Sequence, residues 1–125
     1  MTTGPFTFGF LETFGVPLKR VRAGEALFRK GEAGDAMFLV IDGKVEVRLG
    51  DTVLETIGLH GIVGEMALLD KSPRSASVFA VTDGEVAVID RQVFLDLVRE
   101  EPSFSLYVMQ RMAGRIRRMN ESVGE

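Results

Sequence analysis

The chain has no cysteine, no tryptophan, one tyrosine and a single histidine in 125 residues. Without cysteine there is no disulfide framework and no thiolate metal site, a usage that fits a reducing compartment, so a cytoplasmic location is expected. His60 alone cannot supply the two or three imidazoles or thiolates that most zinc and non-haem iron centres use. A Ser-His-Asp triad has its histidine, but no G-x-S-x-G elbow accompanies any serine. We therefore expect no enzyme: no catalytic residue, no metal and no cofactor. No apolar run approaches the roughly 18 residues of a membrane span. The segment Met1–Phe10 lacks the basic start and long apolar stretch of a signal peptide. Excess positive charge is missing too: 15 basic residues stand against 18 acidic ones, for a net charge of −3. General affinity for nucleic acid is not expected from that balance. The chain stops at Glu125, so no DNA-reading helix-turn-helix follows its last helix and no DNA binding is expected.

What is present is a globular balance, 46% apolar and 26% charged, in a length that makes one domain, residues 1–125. Residues 1–23 form a preamble in which Phe6, Phe8, Phe10, Leu11 and Phe14 make a short apolar, helical segment, either a cap on the core or a docking surface. Residues 24–90 carry β signals. Met37–Ile41 is a continuous apolar run, as a buried strand requires, and Asp42-Gly43 is a tight-turn pair. Val45, Val47 and Leu49 alternate with charged neighbours, Gly50-Asp51 turns the chain, and Val53–Ile57 returns, predicting a hairpin. Ser77–Val81 and Glu85–Ile89 flank Thr82-Asp83-Gly84 and predict a second hairpin. Many short strands with glycine turns point to a barrel or sandwich. After Asp90 the period changes to helical: Val93, Phe94, Leu97 and Val98 share one face, Pro102 interrupts, and a last helix runs to about Glu121. Leu106, Met109, Ala113, Ile116, Asn120 and Val123 alternate spacings of three and four, an a/d seam. The seam serves either packing on the parent barrel or pairing with a second copy. Arg111, Arg115, Arg117 and Arg118 crowd the same helix, either as a solvated face that favours the helix dipole or with one of them reaching a ligand or acidic partner.

The stretch with the most chemistry is Gly64–Ala76, read G-E-M-A-L-L-D-K-S-P-R-S-A. A planar cation (Arg74), a hydroxyl (Ser75) and backbone N–H groups suit a phosphate, and a nearby carboxylate (Glu65) suits sugar hydroxyls. A phosphorylated sugar is the ligand class these residues suggest. The same Glu and Arg are also the two halves of an ordinary salt bridge, and residue types alone leave that alternative open.

The order of a glycine-punctuated β roll, G-E-M-A-L-L, P-R-S-A and two helices resembles the cyclic-nucleotide-binding domain family of catabolite activator proteins, protein kinase A regulatory subunits and cyclic-nucleotide-gated channels. The resemblance covers Val16 to Asn120. It is carried by Leu27–Glu32, Gly34-Asp35, Gly43–Val45 and, most specifically, Gly64–Leu68 with Pro73–Ala76, which is similar to the family's phosphate-binding cassette (64–76). It implies an α+β fold: an eight-stranded, jelly-roll-like antiparallel β barrel with an N-terminal helical segment and C-terminal helices (91–121). It implies reversible binding of a cyclic nucleotide, cAMP in preference to cGMP. In the family a threonine after the cassette arginine favours cGMP, and this chain has Ser75. Arg74 would pair with the cyclic phosphate, Glu65 would accept from the ribose 2′-hydroxyl, and Ser75 would donate to a phosphate oxygen. Gly64, Met66 and Ala67 belong to the cassette turn, whose N–H groups can face an anion. Val63 lies beside it, Val47 and Leu54 would wall the base, and Asn120 falls where relatives place a lid residue. Two departures stand out: His60 occupies a position where the family usually has glycine, and no output domain follows. The resemblance thus implies a stand-alone sensor that signals in trans to a protein effector through its last helix, with the helix seam as a homodimer contact. The alternatives are a ligand-free interaction module, a regulatory fragment of a larger channel or transcription regulator, and a cupin-like enzyme, which one histidine disfavours.

Overall fold

A computed structural model describes residues 9–123. Its elements are α1 (Phe10–Thr13), β1 (Leu18–Val21), β2 (Ala26–Phe28), β3 (Ala36–Asp42), β4 (Val45–Leu49), β5 (Thr52–Ile57), β6 (Ile62–Val63), β7 (Ser77–Ala80), β8 (Gly84–Asp90), α2 (Arg91–Glu100) and α3 (Ser103–Val123), with a short 3₁₀ turn over Glu65–Leu68. The eight strands make two antiparallel four-stranded sheets, ordered β1-β8-β3-β6 and β2-β7-β4-β5. This is the expected α+β jelly roll, with one correction: the sheets do not close into a barrel. The edge strands β1, β2, β5 and β6 hold four, three, six and two residues, and none pairs with a strand of the other sheet.

Strand periodicity explains the layering. Along β3, Phe38 and Val40 face the other sheet, joining Val45, Ile57, Val78, Ala80 and Val86 in one cluster. Met37 and Leu39 face the opposite way, joining Ile62, Ala87 and Ile89 under Leu11, Leu68, Leu97, Phe104 and Val108. The first sheet is thus buried on both faces, which is why β3 reads as an unbroken apolar run. Its outer layer is the helices and the 3₁₀ turn. Leu11 of α1 belongs to that layer, whereas Phe6 and Phe8 of the expected apolar segment lie outside the described residues.

One predicted hairpin is present and one is not. β4 and β5 pair as expected. β7 and β8 do not pair with each other: β7 lies between β2 and β4, and β8 between β1 and β3. The turn at 82–84 therefore carries the chain from one sheet to the other, as does Asp42-Gly43 between β3 and β4. The two crossings stack on each other. A Cβ on Gly43 would come 2.7 Å from the Asp83 carbonyl, and one on Gly84 would run into the Asp42 carbonyl. Glycine is needed there for close approach of two backbones.

Asp90 caps α2, accepting from the Val93 N–H at 2.8 Å. Pro102 separates α2 from α3, and Phe104, fully buried, anchors the start of α3 on the core. From there α3 runs past β6 and β5, where Arg115 bonds to the Ile62 carbonyl and to Glu55.

Candidate functional site

The site begins where β6 stops. Gly64 has φ 76°, in the left-handed region that favours glycine, and turns the chain into Glu65–Leu68. The following loop returns to Arg74, whose main chain is pinned to the turn after β2. Its N–H donates to the Glu32 carbonyl at 2.8 Å and its carbonyl accepts from the Gly31 N–H at 2.8 Å. The guanidinium is thereby placed over the Phe28 ring, with Cζ 3.9 Å from its centroid. Nη1 donates to the Gly64 carbonyl (3.2 Å) and Nη2 to the Ala36 carbonyl (2.8 Å). Gly34 makes room for it, since a Cβ there would overlap Nε and Cζ. Burial pulls the Arg74 pKa down, and Asp35 and Glu32 oppose that pull. Nε–H is buried without a partner.

Glu65 does not pair with Arg74. It is 8% exposed, the one buried acidic residue among the described residues, and its Oε2 accepts from Arg115 Nη1 of α3 at 2.8 Å. Its other oxygen, Oε1, is buried with no partner. Arg115 is shared three ways: Nη1 to Glu65, Nε to Glu55 Oε1 of β5 (3.1 Å), and Nη2 to the Ile62 carbonyl (2.8 Å). Arg118 Nη2 adds a bond to Glu55 Oε2 at 2.9 Å. A cleft of about 380 Å³ opens beside this cluster, between β5 and α3, lined among others by Glu55, Ile57, Ile62, Gly114 and Arg118. The site thus offers one guanidinium and one carboxylate. Each is fixed by protein contacts and retains a buried unpartnered polar atom. Leaving such atoms unmatched is destabilising by about 1–3 kcal/mol each, and both are atoms that a bound polar ligand would satisfy.

The other expected residues fall around this pair in different ways. Val63 is buried between the sheets, its strand paired to Phe38. Met66 is exposed, and the Ala67 N–H is bonded to the Gly64 carbonyl at 3.2 Å. Ser75 is exposed beside Arg74. Val47 packs on the inter-sheet core, and its partner in register is Glu55. Leu54 sits at a register shift and is 56% exposed. Asn120 is exposed, about 140° around α3 from Arg115 at 100° per residue. The residue that reasoning from sequence missed is Glu55, while Gly34 was visible only as part of a motif. Arg115 and Arg118 were visible only as two of four arginines on a helix. The 50 residues between Arg115 and Glu65 leave no local pattern to find.

A family model described as the cyclic nucleotide-binding domain matches residues 18–101, more than half of the chain and all of the cassette. The chain belongs to the cyclic nucleotide-binding domain family. Among curated relatives, it is 28% identical over 107 residues to a CRP-like cAMP-activated global transcriptional regulator of Mycobacterium tuberculosis, covering 82% of this chain and 48% of that one. It is 31% identical over 113 residues to Lysophospholipase nte1 of Aspergillus fumigatus, covering 86% of this chain and 7% of that one. The solved Catabolite Activator Protein of Thermus thermophilus superposes with a TM-score of 0.77 at 31% identity, over 91% of this chain and 56% of that chain. The chain therefore spans less than half the length of these two curated relatives. The family match ends before α3, so Arg115 and Arg118 lie outside it.

Proposed function

We propose that this domain binds a cyclic nucleotide reversibly, cAMP in preference to cGMP, with the phosphate on Arg74 and the ribose on Glu65. One observation carries the reading: Glu65 Oε1 and Arg74 Nε are both buried without a partner, while Glu65 is paired with Arg115 and Arg74 with the Gly64 and Ala36 carbonyls. The preference for cAMP is supported by the cAMP-activated regulator among the relatives, and Ser75 lacks the threonine methyl of cGMP-preferring members without deciding between the bases. Binding at Arg74 and Glu65 organises the cassette, and α3, hinged at Pro102, is the element whose position the ligand biases. It can do so only through a difference in affinity between helix positions. The signal passes in trans to a partner. A second copy docked on the seam of α3 is one such partner, because Leu106, Met109 and Ile116 project into solvent.

Calorimetric titration of cAMP and cGMP into protein stripped of carried nucleotide by unfolding and refolding tests the assignment. Saturable binding is expected, and Arg74→Ala is expected to weaken it by about 2–5 kcal/mol, because an anion is left unpaired in a partly buried site. A loss below tenfold overturns the role of Arg74. No binding of either nucleotide to a folded protein overturns the reading and leaves an interaction module in its place.

A further inference from the structure

The chemistry that leaves Glu65 Oε1 available lies fifty residues away from it, on α3, and ten residues before it, on β5. Arginine and carboxylate prefer a two-pronged pairing, two parallel N–H···O bonds in one plane. Arg115 and Glu65 do not adopt it. Each of the three guanidinium nitrogens of Arg115 is directed at a different acceptor: Nε at Glu55, Nη1 at Glu65 and Nη2 at the Ile62 carbonyl. Glu65 thereby receives one prong and keeps one oxygen.

Glu55 is placed for this. It lies opposite Val47 in the β4–β5 ladder, and residues opposite each other share a sheet face. Val47 packs on the inter-sheet core, so Glu55 points to the same side, where it lines the cleft beside α3. Its side chain is 24% exposed, and both its oxygens are held, Oε1 by Arg115 and Oε2 by Arg118. The result is a chain of alternating charge, Arg118–Glu55–Arg115–Glu65, with two cations for two anions.

We infer that Glu55 is a positioning residue for ribose recognition: by holding Nε of Arg115, it keeps Arg115 on a single oxygen of Glu65 and so reserves Oε1 for a sugar hydroxyl. This rests on the reading of Glu65 as the ribose acceptor. With Glu55 neutral, the full attraction of Arg115 falls on the one remaining carboxylate. The guanidinium then turns to take both Glu65 oxygens, and the hydroxyl loses its acceptor. The phosphate anchor at Arg74 shares no contact with this chain and is unaffected.

The readout is discrimination between cAMP and 2′-deoxy-cAMP, which a merely structural contact would not move. A hydroxyl bonded to a carboxylate gives the wild-type protein a preference of about ten- to a hundredfold for the ribo form. In Glu55→Gln that ratio is expected to collapse to within about threefold, with cAMP weakened and 2′-deoxy-cAMP nearly unchanged. Glu55→Asp, which keeps the charge, is expected to restore most of the ratio. Should the Gln variant fail to fold by circular dichroism, Glu55→Thr, a residue that strands favour, replaces it. An unchanged ratio in a folded, cAMP-binding neutral variant overturns the inference while leaving the function standing. Failure of the wild-type protein to bind either nucleotide overturns both.

Discussion

Arg74 and Gly34 work as a unit. The guanidinium lies where a Cβ at position 34 would stand, and the Phe28 ring and the Ala36 and Gly64 carbonyls close the other sides. Nε and Cζ, rather than a flexible tip, are the atoms in the way, so the side chain cannot step aside without leaving its carbonyls. Gly34→Ala is expected to leave the fold intact, since position 34 is in a loop, and to weaken nucleotide binding at least tenfold, the scale set by disturbing one charge-assisted hydrogen bond. Titration beside Arg74→Ala measures it, and wild-type affinity in Gly34→Ala would show that Arg74 is not held by this packing. His60 is the second residue with a stated consequence. It has φ 66° and donates its N–H to the Val40 carbonyl at 2.7 Å. Burial, and secondarily Arg111, lowers its pKa below the ordinary 6.5. The unfolded chain therefore binds the proton first, and stability falls as pH drops through 6.5 towards the lowered folded value. Thermal midpoints between pH 7.5 and 5.5 are expected to decline for the wild type. They are expected to decline less for His60→Asn, since asparagine tolerates the left-handed region and does not titrate. Equal slopes would remove His60 from the account.

At the scale of elements, α3 has three different faces. Phe104 and Val108 seat its first turns in the core, Arg115 and Arg118 tie its second half to β5 and the cassette, and the seam points away. The first attachment is apolar and deep, whereas the second is ionic and joins α3 to Glu65, the carboxylate proposed to take the ribose. Its outermost pair, Arg118–Glu55, has Arg118 61% exposed and contributes about 0–1 kcal/mol, well below a buried phenylalanine. The second half is thus the part a ligand can shift. Amide exchange over residues 112–120 is expected to slow on addition of cAMP, with residues 103–108 unchanged. Identical protection with and without ligand would defeat α3 as the signalling element. The same elements show how far pattern carries. The β4–β5 hairpin, the change of period after Asp90 and the stop at Pro102 follow from local alternation and breakers, and all were legible. The β7–β8 pairing was misread because both strands and a T-D-G turn look like a hairpin locally. The chain crosses between sheets there because β7 is taken by β2 and β4 and β8 by β1 and β3, which no local signal encodes.

For the whole molecule, the unresolved balance of surfaces lies on the outer side of α3. Leu106, Met109 and Ile116 are 57%, 54% and 55% exposed along one line, with Ala113 between Met109 and Ile116 and Asn120 one turn beyond. A second copy brought against that line would bury apolar surface at roughly 25 cal/mol per Å², and Asn120 at a seam position would fix the register. Sedimentation at micromolar concentration is expected to show a dimer, and Ile116→Glu a monomer with unchanged circular dichroism. A wild-type monomer at all concentrations would remove the homodimer.

The amino-acid sequence by itself determined the strand and helix periods, the β4–β5 turn and the motif Gly64–Ala76, because each is a matter of neighbours within about a dozen residues. It also determined which residue types stand at Glu65 and Arg74. Only the tertiary structure decided what those residues do with their partners. Arg74 bonds to Gly64 and Ala36 across two loops, and Arg115 crosses fifty residues to divide itself between Glu55, Glu65 and Ile62. Those choices follow from distance and competition among buried polar groups, which exist only once the sheets and α3 are packed.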